Sequence, residues 1–286
     1  MAKGRELKGR IKSVEGTRKI TRTMEMVATS KLKRAQDRVI AARPYANSLA
    51  EVISELYSAE LAAEFPLLRQ PAKTERAAVL LITSNRGLAG AFNSNIIKEG
   101  RALIAKLESS GTAVELHTAG KKGTGFFRFV GRELASSRID LTDRPSADDA
   151  TSLIAPMMND FVSGRLDAVY VVYSRFNSVL STPPASAPVL PVSPPLRKGG
   201  ATRDYILVPD AQAILSELLP LYVKNTVYKA LVETAAGEQG ARRTAMKNAT
   251  DNAGEMLNVL RRTYNRARQA QITQEIAEIV GGAEAL

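Results

Sequence analysis

Two stretches of helical heptad spacing, one at each end of the 286-residue chain, restrict the possible folds more than any other feature of the sequence. From Ala28 onward, apolar or small residues recur in alternating steps of four and three through Leu32, Ala35, Val39, Ala42, Ala46, Leu49, Ile53 and Leu56. That is the seam of a helix lying against a partner. Upstream, Leu7, Ile11 and Val14, then Ile20, Met24 and Val27, keep helical spacing on a drifting phase, and only Pro44 interrupts. About 50 helical residues make a rod of roughly 75 Å. Near the other end the alternation runs through Ala245, Ala249, Asn252, Met256, Val259, Thr263, Arg266, Ala270, Thr273, Ala277 and Val280, with no proline after Pro220. This second seam is small and partly polar, so it allows close approach while burying little apolar area.

Helices of this length need partners. The economical solution pairs the two with each other, antiparallel or crossing, around a middle segment that folds between them; a homodimer through one rod is the rival packing. The expected divisions are 1–58 for the N-terminal coiled-coil helix, 75–208 for a central α/β domain and 209–286 for the C-terminal helix. The fold class expected is α/β: a long antiparallel coiled coil plus a Rossmann-like domain.

The middle alternates strand and helix signals. Residues 77–83 form a continuous apolar strand run, 93–109 an amphipathic helix, 113–118 a short strand and 123–130 a short helix. A helix follows over 146–162, where Asp148 and Asp149 suit the positive end of the dipole, and then a strand over 167–173. Continuous apolarity in the strands indicates a sheet covered on both faces. The segment 181–200 holds six of the 13 prolines and reads as an extended connection with little regular structure, followed by a short strand over 203–208.

Composition narrows the chemistry. Cysteine is absent and histidine occurs once, which removes disulfides, thiolate nucleophiles and Cys or multi-His metal sites. The longest aliphatic run, 77–82, is far shorter than the roughly 20 residues a spanning helix needs, and the basic N-terminus lacks a signal-type apolar core. A cytoplasmic chain is expected. Of the net charge of +11, residues 1–45 carry +9, from 13 Lys and Arg against 4 acids. Such an arm seeks an acidic partner, and a basic coiled-coil nucleic-acid-binding protein is the alternative reading.

The glycine-bearing turn 84–93 sits between strand and helix, where nucleotide folds hold phosphate, yet it lacks the Lys and Ser/Thr of a P-loop and the glycine triplet of a dinucleotide fingerprint. Gly120-Lys121-Lys122-Gly123-Thr124 is a basic glycine turn without the full motif, and His117 has no nucleophile signature beside it. No constellation supports catalysis by this chain.

Four segments carry a resemblance. Lys19-Ile20-Thr21-Arg22-Thr23-Met24-Glu25-Met26-Val27-Ala28-Thr29-Ser30-Lys31 resembles the N-terminal signature of the gamma-subunit family of F-type ATP synthases, bacterial type. Arg86-Gly87-Leu88-Ala89-Gly90 is similar to the family's central loop. Ala245-Met246-Lys247-Asn248-Ala249-Thr250-Asp251-Asn252-Ala253 and Asn265-Arg266-Ala267-Arg268-Gln269-Ala270-Gln271-Ile272-Thr273-Gln274-Glu275-Ile276 resemble its C-terminal signature. Asn85, Ala89, Gly240 and Arg243 depart from the residues commonest in the family.

The resemblance implies a central-stalk rotor, one copy per complex, whose coiled coil turns inside a ring of alpha and beta subunits. The α/β domain would rest with the epsilon subunit on the membrane c ring. It implies no cofactor, metal or catalytic residue in this chain, and a peripheral place on the cytoplasmic face of the cell membrane. The ring contacts it implies are Met24, Lys31, Lys33, Arg34, Arg86, Arg242, Gln269, Thr273, Glu275, Ile276 and Val280, with Met24 and the basic residues near an acidic lever loop of the catalytic subunit. Tyr205 would face the c ring and epsilon.

Overall fold

The apolar run in the middle of the chain forms β1 (Arg76–Ile82), buried at every position after Arg76. The rest of the domain is built outward from it, in a computed structural model that describes residues 2–57, 64–193 and 210–284, the side chains of 2–4 and 281–284 excepted. Two long helices begin and end the chain, α1 (Ala2–Leu56) and α5 (Ala211–Glu284), and α1 continues through Pro44. Two compact units result: Ser30–Ala241, and Met1–Thr29 together with Arg242–Leu286.

In Ser30–Ala241 the chain runs β1, α2 (Phe92–Ser109), β2 (Ala113–Ala119), α3 (Lys121–Phe129), β3 (Ser136–Arg138), α4 (Ala147–Val162), β4 (Ala168–Ser174) and β5 (Pro184–Leu190). The sheet order is β3-β2-β1-β4-β5, parallel except for β5. Both faces are covered, as the apolar strands require. Ala77, Val79 and Leu81 pack on one side against Phe92, Ile96, Ile104 and Leu107 of α2 and Phe127 of α3. On the other side Ala78, Leu80 and Ile82 meet Ala150, Ile154, Met157 and Phe161 of α4. A capping box starts α4: the Asp149 amide donates to Ser146 Oγ at 3.1 Å and the Ser146 amide to Asp149 Oδ2 at 2.9 Å, a cap that contributes about 1 kcal/mol.

The structure departs from the sequence reading at three points. The proline-rich segment contains β5, antiparallel to β4, with Ala187 opposite Val171. An edge strand has one side without ladder partners, so prolines there need not break a hydrogen bond, and proline density alone misreads it as loop. β3, three residues of Ser-Ser-Arg, has no apolar signal at all and exists because His117 to Ala119 offer it a free edge. Thirdly, the long helices do not act solely as partners for each other. Leu49 and Ile53 of α1 and Leu215, Leu219, Val223, Val227 and Leu231 of α5 join the sheet's own core. The expected strand over 203–208 lies outside the described residues.

In the second unit α1 and α5 run antiparallel. Thr250 Oγ1 is 2.8 Å from Thr21 Oγ1, the Arg18 guanidinium covers Gly254, and Arg261 Nη2 meets Glu15 Oε1 at 2.5 Å. The buried line of α5 is Met246, Thr250, Ala253 and Leu257, one residue along from the seam read in the sequence, while Met256 and Val259 are more than half exposed. On α1 the buried positions are Thr21 and Ala28, and Ile20, Met24 and Val27 face outward. The reason is size: the observed line brings Met246 and Leu257 inward, whereas the other offers mostly small or polar residues, and alternating small residues fit either phase.

Candidate partner-contact residues and the strand-end crevice

The expected contact residues divide between the units. In the unit of Met1–Thr29 and Arg242–Leu286, Met24 is 38% exposed beside exposed Ile20, Met26 and Val27. Arg242 is half-buried, and Gln269, Thr273 and Glu275 are exposed on α5. Thr273 Oγ1 donates to the Gln269 carbonyl at 3.0 Å, and Glu275 Oε1 accepts from Gln271 Nε2 at 2.9 Å. Ile276 and Val280 are 56% and 52% exposed, with Ile272 and Ile279 also open. The register set by Thr21 against Thr250 and Arg18 against Gly254 exhausts α1 at about residue 270 of α5, so beyond that point α5 presents an apolar face with no described helix against it.

In Ser30–Ala241, Lys31 forms an ion pair with Asp143, 112 positions away. Lys33 Nζ pairs with Asp37 at 2.8 Å one turn on. Arg34 contacts only Ser30, through its carbonyl at 3.4 Å and its hydroxyl at 3.3 Å, so its charge meets no described carboxylate. Arg86 is exposed, and its carbonyl accepts from Ser84 Oγ at 2.6 Å. Tyr205 lies outside the described residues. Asp143, Arg38, Arg144 and Gln239 gather around Lys31 and Arg34; no motif or spacing joins these positions, which meet through the packing of α1, α5 and the loop before α4.

The carboxyl ends of β1 and β4, where the strand order reverses, are where open α/β sheets hold ligands. Here α5 fills that place. Thr234 Oγ1 lies 3.3 Å from the Ser174 amide, the Glu233 carboxylate accepts from the Phe176 amide at 3.1 Å, and Gly237 packs on Ser174 and Phe92. The turn 84–93 is also tied up internally. Asn93 Oδ1 accepts from the Ser84 amide at 3.0 Å, and Asn85 bridges the Leu141 carbonyl and the Lys121 amide. Leu88, at φ 62°, is 63% exposed at its tip.

His117 is a structural residue of β2, paired with β1 on one side and β3 on the other. Its Nδ1 is 2.8 Å from Ser136 Oγ on β3, while Nε2 is buried without a hydrogen bond, 4.0 Å from Glu115 Oε2. Burial pulls its pKa below the ordinary 6.5, with Glu115 and Asp160 opposing and Arg165 assisting. The neutral ring is therefore what folding favours. Stability is complete above 6.5 and declines as pH falls from there toward the depressed native value, because the unfolded chain takes up its proton first. His117→Gln is expected to flatten that decline in urea midpoints followed from about pH 7 to about pH 5; wild type and variant falling in parallel would contradict it.

Residues 3–286 match the family model described as ATP synthase. The chain is 66% identical to the ATP synthase gamma chain of Gemmatimonas aurantiaca, covering 100% of this chain and 99% of the relative, and 45% identical to that of Leptospira biflexa, covering 100% of both. Its structure is similar to a chain of the Tetrahymena thermophila mitochondrial ATP synthase central stalk and c ring, at 26% identity, with a TM-score of 0.62 and coverage of 80% of this chain and 99% of that one. A chain of the Euglena gracilis mitochondrial ATP synthase shares the fold, at 20% identity and a TM-score of 0.71 over 99% of this chain and 94% of the other. No helix among the described residues is long and apolar enough to cross a membrane. These findings give the nucleic-acid alternative no support. Identity at this level, running the length of both bacterial relatives, makes the chain a member of the ATP synthase gamma chain family.

Proposed function

We propose that the chain is the central-stalk rotor of a bacterial ATP synthase, a non-catalytic subunit present once per complex. It would couple rotation of the c ring to the conformations of the catalytic beta subunits, with alpha and epsilon as further partners, at the cytoplasmic face of the membrane. The observation that carries this reading is the antiparallel α1–α5 pair, which exposes different chemistry around its girth: Ile20, Met24 and Val27 on one helix, Met256 and Val259 on the other, and an uncovered apolar end at Ile272, Ile276 and Val280.

Identical catalytic subunits adopt different states only if something binds those states differently. A lopsided shaft does so by presenting a different face to each. Driving one two-state subunit from mostly open to mostly closed takes about 5.5 kcal/mol of state preference, while an exposed ion pair supplies about 0–1 kcal/mol. The basic stretch Lys31, Lys33 and Arg34 therefore works as a spread field with steric support. Within it Arg34 has the largest share, since Lys31 and Lys33 are already paired with Asp143 and Asp37. Weak contacts at many centres also leave the shaft free to turn.

Replacing Lys31, Lys33 and Arg34 together with alanine is expected to lower the protons pumped per ATP hydrolysed by roughly two- to tenfold in reconstituted vesicles, as the loss of about 0.4–1.4 kcal/mol of preference would. Thermal melting of the variant chain should change far less. An unchanged pumping ratio in an assembled complex would refute the proposed coupling role.

A further inference from the structure

In Ser30–Ala241, α1, α5 and the loop before α4 enclose a pocket of about 190 Å³, lined by Lys31, Arg34, Arg38, Asp143, Arg144 and Gln239. Four cations face one carboxylate. Asp143 receives Lys31, and Arg38 Nη1 reaches the Asp143 carbonyl at 3.4 Å. Arg144 is positioned by a local turn in which its amide donates to Thr142 Oγ1 at 3.1 Å, and its guanidinium has no described acceptor. The concentration of guanidinium groups is therefore well in excess of the negative charge available within the pocket.

Gln239 is the second observation. It is only 4% exposed, borders the pocket, and its side-chain amide makes no hydrogen bond with any described residue. With no partner among the described residues, the polar end of this otherwise buried side chain is left to the solvent of a space ringed by arginines, where a ligand oxygen can take the place of water. A neutral or cationic ligand would leave those arginines unsatisfied. A compact oxyanion with several acceptor oxygens would use the amide N–H and the guanidinium forks together, and forked recognition of tetrahedral oxyanions is what arginine does better than lysine. The size suits one phosphate group with a few waters.

We propose that this pocket is a phosphate site, occupied by orthophosphate or by the terminal phosphate of a nucleotide. Such a ligand would bridge α1, α5 and the loop that carries Asp143 and Arg144, tightening that junction when bound. The proposal stands apart from the rotor reading: a chain that turns in a ring need not bind phosphate, and failure here would leave that reading intact.

Titration calorimetry on the full-length chain at low ionic strength tests it, with orthophosphate, ATP, ADP, adenosine and glutamate as separate titrants. Saturable single-site binding of orthophosphate is expected, weakened on the order of tenfold or more by Arg144→Gln and by Gln239→Leu. Arg144 is exposed, so its variant keeps the fold, and circular dichroism verifies this for both. ATP and ADP displacing phosphate, with adenosine inert, would support the site and name nucleotide as a source; phosphate binding undisturbed by nucleotides would support free phosphate. Absence of saturable phosphate binding to the wild type would overturn the proposal. So would equal affinity in a folded Arg144→Gln chain, or glutamate competing as well as phosphate, which would make the pocket a seat for carboxylates.

Discussion

Gly120→Ala is expected to destabilise the α/β unit by about 4 kcal/mol, a large fraction of the roughly 5–15 kcal/mol that holds an ordinary domain together. Gly120 has φ 107°, a backbone region L side chains rarely enter. A Cβ there would stand 2.1 Å from the Thr83 carbonyl oxygen and 2.8 Å from its hydroxyl. The oxygen is backbone at the end of β1, so no rotamer change relieves the clash. Swinging Gly120 away would break its amide's 2.7 Å bond to the Arg138 carbonyl, which joins the ends of β2 and β3, and the 3.2 Å bond its own carbonyl accepts from Thr124. Gly123 is constrained nearby, since its amide donates to Thr83 Oγ1 at 2.9 Å and a Cβ would meet that same atom. The glycines of this basic turn are thus spaced by the approach of β1 to α3, with no phosphate required. Urea unfolding followed by circular dichroism measures the effect; a loss below about 1 kcal/mol would mean that the close approach is not rigid.

The second large effect is expected at Gly237, where α5 crosses the ends of β4 and α2. A Cβ would be 2.7 Å from Ser174 Oγ, 3.3 Å from Ser174 Cβ and 3.2 Å from the Phe92 ring. Gly237→Val adds three methyl-sized atoms where one does not fit, and an overpacking loss of about 3 kcal/mol follows. The same displacement weakens the Thr234 and Glu233 bonds to the amides of Ser174 and Phe176, which are spaced along the same face of α5. The pair is testable by a cycle: Gly237→Ala alone should cost more than the same change in a Ser174→Ala background, because the nearest obstacle is the serine hydroxyl. Additive losses would show that the helix shifts freely and that Ser174 does not define its seat. Hydrogen exchange along 230–241 should quicken in the valine variant, since the segment would open locally before the whole unit unfolds.

Much of the candidate site followed from residues alone only where a local pattern carries the information. The seam from Ala28 to Ile53 was legible because Leu32, Val39, Leu49 and Ile53 are large and their intervals unambiguous, and all four are buried. The line on α5 was not, because alanines, threonines and asparagines at competing phases bury similar area, and only contact with α1 selects Met246, Thr250, Ala253 and Leu257. Lys31 and Arg34 were visible as charges, but the neutralisation of one and not the other depends on Asp143 arriving from a loop far along the chain.

The sequence by itself determined the alternation of strands and helices, the burial of β1 on both faces, the capped start of α4 and the helical ends, because propensity, period and capping act over a few residues. The tertiary structure alone decided that β5 pairs at the sheet edge despite its prolines, that α5 occupies the strand-end crevice, and that four basic residues and a buried glutamine enclose one pocket. Those outcomes depend on which surfaces meet across long stretches of chain. That choice is made by the fit of whole faces to one another.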